Sequence, residues 1–433
     1  EACVGGAEHL KLHFPAGASD LGAAFIQGGL ASLGSDGMLG AIANRTLLAV
    51  QGFAAWRLQL LRENHLECLA DLGHGVLDAM VETALFVWRR GDEPSSPGRH
   101  TGFLGLLDAS DKHRGLLEGL RLAGGRLRWA YTSAFSTVPG APLAYWVPQN
   151  LLERFTTHAT FLATGGEVSQ GTATADDFRF YRLRWEVPAD RIHTEPHLSD
   201  REFRDHDWSP VAKGGEYGLW WDDIHLVQLW RNDGWEVRNF IDGTGKQRSF
   251  PKNLHKHFLR GGTFPYRTTS AFAMRLLPPG ICFSVGGWAV FPPPDTKIEE
   301  SLAIFNSRIA RYFMEVLLGQ GDSSASGTAA RNHVSAAVGG IPWPRKALSP
   351  SVPSHVGTLI DLMAASSMDE TALFFSPSRL LPAGSVSFES LLAGWWAETC
   401  STWRAVAELS RGLELELLDA FQLDAEDIEA IND

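Results

Sequence analysis

The stretch from Trp208 to Trp288 constrains this 433-residue chain more than any other. It sets short aromatic and β-branched runs between glycines, prolines and polar turns, the pattern of an antiparallel β-rich module rather than of helices. Its charge is lopsided as well. From Arg238 to Arg275 there are eight basic residues (Arg238, Lys246, Arg248, Lys252, Lys256, Arg260, Arg267, Arg275) against one acid, Asp242, in a chain of formal net charge −12. A local cationic excess attracts a phosphate backbone whatever the sign of the whole chain, because the field that steers a polyanion is local. Phe250, Phe258, Phe264 and Tyr266, interleaved with Thr268 and Ser270, offer ring faces and hydroxyls to bases. The competing reading is a solvated basic face that binds nothing. The six tryptophans from Trp185 to Trp235 are expected to pack into a core before they stack on bases.

A hydrophobic content of 44% fills two or three domains at this length, and 15 Trp with 24 Phe exclude a disordered chain. Cys3, Cys68, Cys282 and Cys400 lie far apart with no zinc spacing, so neither a disulfide framework nor a metal site is expected, and a reducing cytoplasm is the simplest compartment. No apolar run approaches the roughly 20 residues that span a bilayer, so no membrane partner is expected. The start at Glu1, without Met, reads as a piece of something longer.

Residues 1–100 alternate helix and strand. Asp20 caps a helix over 20–33, Met38–Leu48 reads as a buried strand, a helix follows near 51–63, and Leu66–Leu72 and Val81–Trp88 are strands. This order implies an α/β sheet covered on both faces. A Pro/Gly/Ser linker spans 91–101. Residues 101–165 form a connector with a helix capped near Asp108–His113, a strand over Arg126–Tyr131 and a helix after Asn150. Residues 166–345 hold the β-rich module. It includes an expected strand Tyr181–Val187 and ends in one long amphipathic helix, Lys297–Leu318, and a polar loop, Gly319–Gly327. Residues 346–433 read as helical, near 354–366, 387–398 and 400–420; from Glu408 onward nine acids face Arg411 alone, which suits scaffold or partner contact rather than DNA.

The series Lys213-Gly-Gly-Glu-Tyr217, Trp230-Arg-Asn-Asp-Gly-Trp-Glu-Val-Arg-Asn-Phe240, Gly261-Gly-Thr-Phe-Pro-Tyr-Arg-Thr-Thr-Ser270, Leu277-Pro-Pro-Gly-Ile-Cys-Phe283 and Gly286-Gly-Trp-Ala-Val-Phe-Pro292 resembles the target-recognition region of large adenine-specific DNA methyltransferases. These are the PglX enzymes of BREX phage-defence systems and the wider type IIG restriction-modification enzymes. Residues 38–90 are similar to the later strands of an amino-methyltransferase domain, where Asp71-Leu-Gly73 and Val81-Glu-Thr-Ala84 frame closing antiparallel strands. Gly171-Thr-Ala-Thr174-Ala-Asp176-Asp-Phe-Arg-Phe180 resembles the Gly-x-x-Thr-Gly-x-Asn-x-x-Phe segment that joins methyltransferase to recognition domain, with Ala175 in place of Gly and Asp177 in place of Asn. Alanine resists positive φ, so a turn built differently is expected. An ordinary turn is the alternative.

The fold implied is the α/β C-terminal part of a Rossmann-like methyltransferase domain, then an α+β recognition domain and a helical tail. The resemblance implies double-stranded DNA as partner, other phage-defence subunits as further partners, and S-adenosylmethionine as cofactor. DNA contacts are expected at Lys213, Arg238, Lys252, Lys256, Arg260, Arg267, Thr268 and Ser270, with Gly171, Thr174 and Asp176 at a junction close to the DNA. No catalytic residue is assigned. Neither the glycine-rich cofactor turn nor an Asn/Asp-Pro-Pro-aromatic loop occurs, since Pro278-Pro279 follows Leu277 and Pro292-Pro293-Pro294 follows Phe291. The chemistry is therefore expected outside this chain, and a non-catalytic DNA-specificity subunit or an interaction scaffold stays open. Asp222, Asp223 and His225 offer a weak metal or nuclease signal, because adjacent strand residues face opposite ways.

Overall fold

The computed structural model describes residues 4–76, 81–91, 100–121, 126–193, 207–319, 331–344, 348–367, 369–375 and 387–432. The linker over 91–101 and the loop Gly319–Gly327 fall largely outside them. Asp20 caps the helix Leu21–Ser32 by accepting the Ala23 N–H at 3.0 Å, and Ala23, Ile26 and Leu30 turn inward onto a sheet. That sheet contains β1 (Met38–Asn44), β2 (Asn64–Gly73), β3 (Thr83–Arg90), β4 (His100–Gly105) and β5 (Leu127–Tyr131) in the order β1-β3-β2-β4-β5. β3 is antiparallel to β1 and β2, β4 is parallel to β2, and β5 is antiparallel to β4.

Two expectations change here. β1 is an edge strand with Met38 and Ile42 exposed, not a buried strand, because only β3 flanks it, and so the sheet is not covered on both faces throughout. The sheet also runs past residue 100, where the connector was expected to begin, since β4 pairs with β2. Arg57, in the helix Ala54–Glu63, is buried and donates to the carbonyls of Leu47, Ala49, Val50, Gly140 and Ala141, tying the segment after β1 to the loop before Tyr145.

The β-rich part contains β6 (Glu167–Ser169), β7 (Tyr181–Leu183), β8 (Trp208–Ala212), β9 (Leu226–Leu229), β10 (Gly261–Pro265), β11 (Arg267–Thr268), β12 (Arg275–Leu277), β13 (Cys282–Phe283) and β14 (Gly287–Phe291); β15 (Arg331–Asn332) follows two helices later. They form sheets in the orders β12-β10-β14-β6 and β13-β8-β9-β7, plus the pair β11-β15. β7 is shorter than the strand expected over 181–187, because Arg184–Glu186 curl into a 3-10 turn. Among the tryptophans, Trp220 and Trp230 are core, whereas Trp185 and Trp235 are exposed.

The helix expected over 297–318 is two helices, Ile298–Phe305 and Arg308–Leu318. Asn306 breaks it by spending its side chain on the Met274 backbone, accepting its N–H and donating to its carbonyl at 2.8 Å each, and Ser307 caps the second helix by accepting the Ala310 N–H at 3.1 Å. The segments 387–398 and 400–420 join into one helix, Phe388–Ala420. One continuous core runs from Ala23 through Phe161, Phe264 and Phe305 to Phe421.

Candidate nucleic-acid interface

The loop Ser284–Gly286, between β13 and β14, gathers three distant pieces of sequence. Val285 N–H donates to Thr172 O at 3.0 Å, Ser284 N–H to Ala212 O at 3.0 Å, and Tyr266 N–H to Gly286 O at 2.9 Å. The junction segment, the Lys213 loop and the start of the Tyr266–Ser270 segment therefore meet there. Close backbone approach explains the glycines: a Cβ on Gly171 would lie 2.0 Å from Phe283 O, and one on Gly214, at φ +90°, would lie 2.8 Å from Gly286 O.

Ala175 adopts φ +58°, so the turn keeps the left-handed conformation that alanine was expected to prevent. The alanine carries the strain, about 1 kcal/mol. Around it, the Thr174 hydroxyl donates to Asp177 at 2.6 Å, Asp176 caps the turn Asp177–Phe180 by accepting the Arg179 N–H at 3.1 Å, and Lys213 pairs with Asp177. Burial pushes the Asp177 carboxyl up, but hydrogen bonds from Lys213 and Thr174 outweigh it and hold the group below its ordinary range. Lys213 Nζ also lies 4.5 Å from the Tyr181 ring centroid.

The other expected cations divide. Lys252 is exposed and donates to Gln170 Oε1 at 2.9 Å, next to the junction. Arg248 and Arg179 approach the Phe240 ring at 5.4 and 4.9 Å, linking the basic row to the turn after Ala175. Arg238 is paired with Asp233 at 2.6 Å. Arg267 is exposed with no ion pair among the described residues; Thr268 accepts the Ser270 N–H at 3.0 Å, and β11 is held by β15. Lys256 and Arg260 stand at the opposite end of β10 from Arg267. Lys256 is buried, paired with Glu167 and lies 5.3 Å from the Phe291 ring, and Arg260 pairs with Glu299 at 2.8 Å.

Arg275 is a brace rather than part of a surface. It is 2% exposed, pairs with Asp222 and donates to the carbonyls of Gly214 and Glu216, and burial lowers its pKa to about 10. It borders an open cavity of about 510 Å³ whose lining also includes Lys213, Glu216, Asp222, Asp223 and Asp369, an acid-rich wall that repels phosphate. Asp223 accepts from Trp221 Nε1 at 3.3 Å and from the Ser367 hydroxyl, so the two neighbouring aspartates serve different partners. Arg179 and Arg182, with exposed Phe178, sit on the same turn and were not singled out from the sequence; the available signal was an apolar residue inside a polar turn.

The buried carboxylates of the described residues serve the fold rather than a cofactor such as S-adenosylmethionine. The buried carboxylates among them are Asp71 and Asp427. Asp71 is held by Arg45 at 2.7 and 3.1 Å and by the Tyr145 hydroxyl at 3.1 Å, and Asp427 by Arg154 at 3.1 Å and by Asn150, which leaves neither for a ribose.

No family model matches the chain. It is 27% identical over 318 residues to the adenine-specific methyltransferase BrxX of Escherichia coli O9:H4 (strain HS), covering 70% of this chain and 24% of BrxX. It is 25% identical over 319 residues to the adenine-specific methyltransferase PglX of Lacticaseibacillus casei (strain Zhang), covering 72% of this chain and 26% of PglX. The chain is similar to the BrxX and PglX methyltransferases. It spans about a quarter of their length. A solved structure of the type IIL restriction-modification enzyme MmeI in complex with DNA superposes with a TM-score of 0.54 at 11% identity, over 99% of this chain and 54% of MmeI. At that identity the likeness is one of fold, and it extends through both the first sheet and the β-rich part. Like the sequence, the described helices contain none long and apolar enough to cross a membrane.

Proposed function

We propose that this chain is the DNA-recognition portion of an adenine-specific (N6) DNA methyltransferase of a BREX or restriction-modification system. The observation that carries the reading is the convergence on Ser284–Gly286 of the junction, the Lys213 loop and the Tyr266–Ser270 segment, with exposed Arg267, Arg248 and Lys252 on the same part of the chain. Names of the BrxX and PglX relatives support the chemistry, and MmeI's complex with DNA supports the ligand. Arg248, Lys252 and Arg267 contact phosphates or base edges of duplex DNA, Thr268 and Ser270 offer hydroxyls beside them, and Gly171, Thr174 and Asp176 hold the junction against the duplex. Lys213 positions that junction through Asp177 and reaches phosphate when the pair opens. S-adenosylmethionine supplies the methyl group in the parent enzyme.

Replacing Arg248, Lys252 and Arg267 together by Ala tests the reading by fluorescence anisotropy on duplex DNA across a salt series. Each lost phosphate contact lowers the slope of log affinity against log salt by about 0.9. An unchanged slope removes these residues from the interface.

The scaffold reading has one observation of its own. The first half of the helix Phe388–Ala420 is exposed and carries Phe388, Trp395, Trp396 and Trp403, which suits contact with another phage-defence subunit. A fluorophore on exposed Cys400 that is unmoved by any co-expressed subunit counts against it.

A further inference from the structure

The turn from Thr174 to Arg182 carries one side chain that its packing does not use. Phe178 is 94% exposed, whereas Phe180, two residues on, is fully buried. Everything around Phe178 is tied down. Asp177 takes Thr174 and Lys213, Asp176 takes the Arg179 N–H, and Arg182 donates to the carbonyls of both Phe178 and Tyr181. Ala175 stores left-handed strain at the base of the same turn. A phenyl ring held forward on a braced backbone gains nothing for the fold, since an exposed ring forgoes the burial energy that Phe180 collects.

The charges around it point to the occupant. Arg179 and Arg182 flank the ring in sequence, and Arg248 joins Arg179 at Phe240, which connects the turn to the basic row. Four carboxylates stand close by, and each has a partner: Asp176 and Asp177 as above, Glu186 with the Leu183 N–H at 2.8 Å, and Glu236 with Arg179 at 3.6 Å. An apolar ring on a turn that also carries Arg179 and Arg182 matches a surface where apolar rings lie between anions, which is the base stack of a duplex between its phosphates.

We propose that Phe178 is a wedge that enters the base stack of bound duplex DNA, with Arg179 and Arg182 on the flanking phosphates. This rests on the DNA-recognition reading above. Wedging costs unstacking energy, so a duplex opened in advance binds better than an intact one.

The experiment needs no knowledge of the recognised sequence. The affinity of the full chain is measured by anisotropy for a mixed-sequence duplex and for the same duplex with a central abasic site. The wild-type chain is expected to bind the abasic duplex roughly tenfold tighter. Phe178→Ala brings that ratio close to one with the salt slope unchanged, and Phe178→Leu retains part of it. Because the ring is exposed, the melting temperature of Phe178→Ala should match wild type. A ratio kept by Phe178→Ala, or equal binding of both duplexes by wild type, overturns the wedge while leaving DNA recognition intact. Failure of the wild-type chain to bind either duplex overturns both.

Discussion

Replacing Arg275 with Met separates a structural cation from a DNA-binding one. The methionine fills a similar volume but abandons the Gly214 and Glu216 carbonyls and the Asp222 carboxylate. Each carbonyl, on half-buried Gly214 and exposed Glu216, loses a hydrogen bond from a charged donor and regains part of it from water, at a cost of about 1–2 kcal/mol. The Asp222 side chain is 36% exposed, so water takes over much of its share. Relief of the guanidinium's own desolvation, seen in its pKa of about 10, offsets part of the loss. The net expectation is about 2–3 kcal/mol, concentrated on the loop Lys213–Tyr217. Amide hydrogen exchange in that loop is the direct assay, and it should accelerate by about 30- to 150-fold. Asp222→Asn in the Arg275→Met background should add little, because the pair is already broken. If the loop exchanges at the wild-type rate in Arg275→Met, the guanidinium is only filler and does not brace the loop.

Three further outcomes follow from the same packing. His257 is buried against Phe283, with ring centroids 4.5 Å apart, and burial lowers its pKa to about 4 from 6.5. The unfolded chain therefore binds the proton first, and stability present above about pH 6.5 is lost as pH falls toward 4, by up to about 3 kcal/mol; His257→Phe should flatten that part of a melting-temperature profile, and an unaltered acid limb rejects the assignment. Ala175→Val should destabilise by about 2 kcal/mol in thermal melts because a β-branched residue tolerates positive φ poorly, whereas Ala175→Gly should be neutral or mildly stabilising. Ser307→Ala should cost about 1 kcal/mol through loss of the cap on Arg308–Leu318, and a melt indistinguishable from wild type would mean that Asn306 alone breaks the helix.

Local signals in the chain survive folding where their cause is local. Asp20 caps the helix it was expected to cap, because its carboxylate needs only the N–H three residues on. The strands over 64–90 follow from their apolar composition and short length, and the order of the aromatic and glycine motifs was enough to point to the PglX enzymes, to which the chain is similar. The break at Asn306-Ser307 was invisible to periodicity, since apolar spacing continues across it and the reason for the break is Met274, 32 residues away.

What sequence alone determined, then, is the amount of positive charge between Arg238 and Arg275 and the kinds of element that carry it. Which charges remain available was decided only by tertiary structure. Lys256 and Arg275 are neighbours of Lys252 and Arg267 in a single basic row, yet Glu167 and Asp222, brought in from 89 and 53 residues before them, consume the first two and leave the others in solvent. The physical reason is that an ion pair depends on distance in space, to which one-dimensional spacing is blind. The same holds for Phe178, whose composition suggests core and whose exposure comes from a turn that buries Phe180 instead.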